Sequence, residues 1–131
     1  WLAFQQMGRA GYKKMIGDDI ALARRMYERA AAHPELEALT CGLSITTFRY
    51  VPPNLPSSLA PEERSRYLND LNEALLTRLQ EGGAVYMSNV VIDGAFALRA
   101  CIVNFRTSVA DVDAIPDLVA REGRLVAAGM A

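Results

Sequence analysis

Histidine, cysteine and lysine are all scarce in this sequence, and each scarcity removes a class of chemistry. His33 is the one histidine, and Cys41 and Cys101 are the two cysteines, far apart and without a CxxC pair. A zinc site or a Cys/His nucleophile pair needs partners that this set does not supply, so no metal site is expected. Two unpaired thiols with no signal peptide ahead of them point to a reducing, cytoplasmic setting. Lys13 and Lys14 are the only lysines and the formal net charge is −1. No Lys/Arg cluster is dense enough to track a phosphate backbone, which argues against nucleic acid as a partner. Long apolar runs are missing too: stretches such as 90–92 and 100–103 have strand length, far short of a membrane span.

What is present is core material. Hydrophobic residues make up 51% of the 131 residues and charged residues 22%. That balance suits one folded domain and argues against disorder. Residues 1 to about 32 carry apolar side chains at helical spacing, among them Phe4, Met7, Met15, Ile20, Ala23, Met26 and Ala30. The periodicity starts at Trp1 with no capping residue before it, so we expect a chain cut inside a helix. Gly17-Asp18 is a candidate division, since glycine costs roughly 1 kcal/mol against alanine in a helix and aspartate caps well. Pro34 ends the segment by steering His33 away from helix.

Residues 43–50 read as a strand, stopped by Pro52-Pro53. A helix is predicted over 61–81, with proline at its first position, Glu62 and Glu63 at its positive end, and Gly82-Gly83 as its stop. Tyr67, Leu68, Leu71, Leu75 and Leu79 form its inward stripe. Residues 85–92 and 95–105 are paired strands around Asp93-Gly94, a turn that needs positive φ. Thr107 or Ser108 then caps a last helix, with Asp111 as the acidic member of a capping box. Pro116 is expected to kink or restart that helix, and the tail beyond Arg124 to fray. Helices covering an antiparallel sheet of three or more strands make an α+β domain.

Arg99 is the leading candidate for chemistry. Alternation places it on a strand face with Ala97, Cys101 and Val103, where a guanidinium is costly unless paired or set at a cleft. Its fork matches a carboxylate through two parallel hydrogen bonds. Two readings stay open: a substrate-carboxylate anchor, or a structural ion pair or solvent-reaching arginine. Arg106-Thr107 reads as a strand exit, Arg49 and Tyr50 as a strand end, and His33 as a helix-end residue. Lys13 and Lys14 sit in a polar step of the first helix, where nothing depresses a pKa as a Schiff-base lysine requires.

The stretch Phe96-Ala97-Leu98-Arg99-Ala100-Cys101-Ile102-Val103-Asn104-Phe105-Arg106-Thr107 resembles the C-terminal signature of group II pyridoxal-phosphate (PLP) dependent decarboxylases, including the aromatic-L-amino-acid decarboxylases. Gly8-Arg9-Ala10-Gly11-Tyr12 resembles the family's helix after the cofactor domain. Ala23-Arg24, His33-Pro34-Glu35-Leu36-Glu37, residues 44–50 and residues 69–79 agree with it in order. The resemblance implies the small C-terminal α+β domain of a fold-type I PLP enzyme, with 1–33 as a helical segment linking from an absent cofactor domain and 34–131 as the small domain. It implies a parent that is a homodimer and removes the α-carboxylate of an amino acid as CO₂, with PLP doing the electronic work. The Asn104-to-Thr107 stretch leans to aromatic substrates. The cofactor lysine, the stacking histidine and the aspartate on the pyridine nitrogen belong upstream, so no catalytic or cofactor residue is expected in this chain, and Arg99 matches an arginine near the active-site entrance. Alone, the chain is expected to be inactive. A non-catalytic folding and dimer-interaction module, or an unrelated α+β ligand-binding domain, are the competing readings.

Overall fold

A computed structural model describes residues 1–56 and 58–130. The elements follow as α1 (Leu2–Ala32), β1 (Leu36–Gly42), β2 (Ile45–Tyr50), α2 (Pro61–Gly82), β3 (Ser88–Ile92), β4 (Ala95–Cys101) and α3 (Val109–Met130). The strands form one antiparallel sheet in the order β1-β2-β4-β3. Two hairpins are thus joined through their inner strands, and the three helices gather on one face. Leucines at helical spacing explain why α2 lies there: Leu68, Leu71, Leu75, Leu76 and Leu79 are all buried. Each contributes about 1.5–3 kcal/mol by leaving water. Leu71, Leu75, Leu76 and Leu79 share one core with Phe48, Leu98 and Ala100 from the sheet, Ala23, Met26 and Ala30 from α1, and Val112, Val119 and Ala120 from α3.

The α+β class holds, with four strands. The second hairpin turns at Asp93 (φ 50°) and Gly94 (φ 80°), the positive pair expected of Asp-Gly. The helix α2 ends where its glycines predict, with Gly83 left-handed at φ 68°. At the start of α3 the Ser108 hydroxyl accepts the Asp111 N–H at 3.2 Å, while the Asp111 carboxylate accepts the Ser108 N–H at 2.8 Å. That reciprocal pair is the expected capping box.

Several boundaries differ from the sequence reading. Strand β1 occupies residues read only as a run into the first strand. A register shift between Ala38 and Thr40 breaks its alternation, which hides the period-two signal. Leu43 takes φ 50° in the turn to β2, so that strand begins at Ile45. The long helix is interrupted at Gly8 (φ 64°), not at Gly17-Asp18. Asp18 instead accepts a 2.6 Å ion pair from Lys14 one turn earlier, as helical residues four apart do. Strand β3 starts at Ser88, later than 85, and β4 ends at Cys101, earlier than 105.

Pro116, expected to kink or restart α3, sits inside one continuous helix, and the tail beyond Arg124 stays helical to Met130. The turns on both sides of the proline are fastened. Before it, Arg25 donates to both Asp113 oxygens at 2.7 Å, with Arg29 at 3.7 Å. After it, Arg78 donates to Glu122 at 2.6 Å and Arg124 pairs with Glu35. The side-chain hydrogen bond from Arg25 holds the Asp113 carboxyl below its ordinary range, and Arg78 followed by Arg121 does the same to Glu122. Among the described residues, no helix is long and apolar enough to cross a membrane.

Candidate functional site

The helices leave the other face of the sheet uncovered, and Arg99 lies on it. Alternation along β4 sends Phe96, Leu98 and Ala100 to the helices, and Ala97, Arg99 and Cys101 to the opposite side. Arg99 sits centrally across the sheet, opposite Thr47 of β2 and Ser88 of β3. Its neighbours are short and Arg99 is half-buried among them. Among the described residues no carboxylate pairs with Arg99. The structural ion pair, one of its two sequence readings, is therefore not formed within the described chain.

Arg49 shares that face and is committed: its Nε donates to Glu37 across the β1–β2 pair at 2.6 Å. The face thus holds one neutralised arginine and one without a charged partner, with the buried Thr47 hydroxyl between strands. Thr47 and Thr40 hydroxyls lie 2.7 Å apart. Chemically, this surface can accept a carboxylate at Arg99 and position it; the exposed Cys101 thiol lies two residues along the same face, and the Thr47 and Ser88 hydroxyls stand opposite the arginine.

The remaining candidates scatter. Arg106 is exposed over the Phe105 ring at 5.4 Å, after a turn in which Asn104 Oδ1 accepts the Arg106 N–H at 3.0 Å. Ser108, not Thr107, supplies the cap. His33 closes α1: its Nδ1 accepts the Glu35 N–H at 3.1 Å, and its Nε2 lies 3.5 Å from Asp117. Cys41 and Cys101 are exposed free thiols. Lys13 and Lys14 are exposed on α1. Among the described residues no group of three or more His, Cys, Asp or Glu lies together for a metal.

Two residues that fix the sheet's position were missed in the sequence. Buried Asn72 on α2 accepts the Tyr50 N–H at 2.8 Å and donates to the Tyr50 carbonyl at 2.9 Å. Asn69, three residues earlier, accepts the Phe96 N–H at 2.8 Å and donates to the Gly94 carbonyl at 2.9 Å. The spacing Asn-x-x-Asn inside a leucine stripe was the available signal, because it puts both amides on the inward side of the helix.

No family model matches the chain. Among curated proteins, the aromatic-L-amino-acid decarboxylase of Bacillus atrophaeus is 26% identical over 113 residues, 86% of this chain and 22% of that protein. Among solved structures, mouse CSAD in apo form has a TM-score of 0.83 at 22% identity, covering 94% of this chain and 26% of that one. Oryza sativa TDC with PLP has a TM-score of 0.78 at 19% identity, covering 95% and 26%. Catharanthus roseus tryptophan decarboxylase in complex with L-tryptophan has a TM-score of 0.75 at 25% identity, covering 95% and 25%. The chain therefore spans about a quarter of the length of these relatives. It shares the α+β fold of that portion of them. Two exposed lysines and an open sheet do not form a cradle for PLP, so the residues present do not fit the cofactor by themselves, and no step of its chemistry is assigned to them.

Proposed function

The chain is a relative of the group II PLP-dependent amino-acid decarboxylases, and from that premise we propose that it serves as the small domain of such an enzyme. In this reading residues 1–33 lead in from a larger cofactor domain and 34–131 lie against it. The whole protein releases the α-carboxylate of an amino acid, aromatic by the resemblance of its Asn104-to-Thr107 stretch, as CO₂. It works as a homodimer in the cytoplasm. PLP supplies the electron sink when bound. Arg99 holds the substrate carboxylate through paired hydrogen bonds.

The observation that carries this reading is the state of Arg99: a half-buried arginine on the sheet face away from the helices, with no carboxylate partner among the described residues. The test uses the complete reading frame. It is expected to bind PLP, seen as a visible absorption band, and to release CO₂ from tyrosine, tryptophan or dopa. Arg99→Ala should then cut kcat/KM about 10- to 100-fold, the equivalent of one charged hydrogen-bonded contact, with PLP still bound. A wild-type rate, or loss of PLP together with the fold, overturns the anchor role. A complete frame with no upstream cofactor lysine overturns the decarboxylase reading.

A second reading has its own support. Trp1, Leu2, Phe4, Met7 and Ile16 are exposed on the first half of α1, and Val103 and Phe105 beyond β4. Such a surface suits a folding and interaction module that is inactive alone. It predicts that the isolated chain binds no PLP and self-associates in light scattering; a monomer that decarboxylates unaided refutes it.

A further inference from the structure

On the helix side of the sheet a cavity of about 510 Å³ opens between the end of β2, residues 52–56 and Leu59, α2 and the last turns of α3. Its walls are of two kinds. Pro52, Pro53, Leu55, Pro56 and Leu59 supply an apolar side. Opposite them stand the Glu35–Arg124 ion pair and two tyrosines, Tyr50 and Tyr67. Tyr50 is 1% exposed, and among the described residues its hydroxyl has no hydrogen-bond partner. Yet among the described residues no fully buried side-chain polar atom is left without a partner. The phenol oxygen is therefore not completely sealed, and Tyr50 is one of the residues that line the cavity. A hydroxyl in that position lacks the partner that a buried tyrosine ordinarily finds.

The ion pair limits what can enter. Its two charges cancel, so a lone cation meets Arg124 as well as Glu35, and a lone anion meets Glu35 as well as Arg124. A molecule bearing both charges meets both in register. Arg124 uses one N–H on Glu35 and retains others of its five donors. The second Glu35 oxygen has no partner among the described residues.

We propose that this cavity binds a zwitterionic α-amino acid with an apolar side chain, its carboxylate on Arg124 and the Tyr50 hydroxyl, its ammonium on Glu35, and its side chain against the prolines of residues 52–56. The proposal does not depend on the decarboxylase reading: it concerns equilibrium binding to the 131-residue chain, without PLP.

Three probes separate the charges: L-phenylalanine, phenethylamine and 3-phenylpropionate, titrated by calorimetry and followed by amide chemical shifts. L-phenylalanine should bind at one saturable site. Both singly charged probes should bind at least about tenfold more weakly, since each leaves one wall charge unmatched. Tyr50→Phe should weaken L-phenylalanine about three- to tenfold while keeping the melting temperature, and Ala127→Trp, which fills the cavity from α3, should abolish binding. Should Tyr50→Phe fail to fold, Ala127→Trp decides. No saturable binding of L-phenylalanine, equal binding of all three probes, or binding that survives Ala127→Trp overturns the proposal.

Discussion

Replacing Gly123 by alanine sets two effects of opposite sign against each other. Gly123 is buried in α3, and alanine at a helix interior is favoured over glycine by about 1 kcal/mol. A Cβ there, however, lies 2.6 Å from Tyr50 Cγ and 2.7 and 2.8 Å from its two Cδ atoms. Carbon atoms settle at roughly 3.5–4.0 Å, so ring and helix must part by about 1 Å. Neither yields easily. The Tyr50 backbone is clamped on both its N–H and its carbonyl by Asn72, and α3 is tied by ion pairs to α1, to α2 and to Glu35, the residue before β1. Overpacking of this kind costs about 1–3 kcal/mol, and more where relaxation is blocked. We expect a net loss of about 1–2 kcal/mol after the propensity gain, or roughly 3–8 °C in Tm. The control is Gly17→Ala, a helical position with nothing within 4 Å of the new Cβ, which should gain up to about 1 kcal/mol. Thermal and urea unfolding measure both. Tyr50→Leu in the Gly123→Ala background should recover stability relative to its effect alone, with a coupling of about 1 kcal/mol or more. An alanine variant as stable as the parent, or a cycle with no coupling, refutes the steric reasoning.

Asn72→Ala removes the hydrogen bonds to both Tyr50 backbone groups in a buried place, which should cost about 2–4 kcal/mol in urea unfolding; a loss under about 1 kcal/mol contradicts the clamp. Acid sensitivity is set by Asp113 and Glu122, whose carboxyls are held below their ordinary values by arginine partners. A lowered folded pKa means that their stabilisation is full above the unfolded values and fades as pH falls through the folded ones. Asp113→Asn should therefore lower Tm at neutral pH, and its difference from the parent should shrink towards zero below about pH 3; a constant difference across that range argues against the Arg25–Asp113 pair.

The legible parts of the fold were those where local chemistry acts without help. Asp93-Gly94, the leucine stripe of α2 with Gly83 behind it, and the Ser108/Asp111 box each specify a structure from a few neighbouring residues. The illegible parts depend on pairing or on distant contacts. Strand β1 carries Leu, Glu and Ala, which serve a helix equally well, and its register shift erases the alternation that a strand shows. Pro116 reads as a break because the ion pairs that secure both sides of it join residues far apart in sequence. Gly123 reads as an ordinary helix glycine, since nothing nearby in the chain reveals a tyrosine ring against it. Arg99 was legible as an oddity of its strand. The lack of a charged partner within the described chain was not, because alternation names the residues on a face and leaves unsaid which carboxylates reach it.

The paired amides of α2 make the helix an honorary strand. Asn69 and Asn72 offer their carboxamides to Phe96, Gly94 and Tyr50 as a neighbouring backbone does, four hydrogen bonds reaching strands that belong to different hairpins. A helix packed only by leucines can creep along a sheet, because one apolar contact resembles the next. This one is indexed: a slide of an ångström or more along the sheet would stretch all four bonds together. The distance from α2 to the strand that bears Arg99 is thereby fixed as firmly as the spacing between strands, and the open face inherits that rigidity from the side that never sees it.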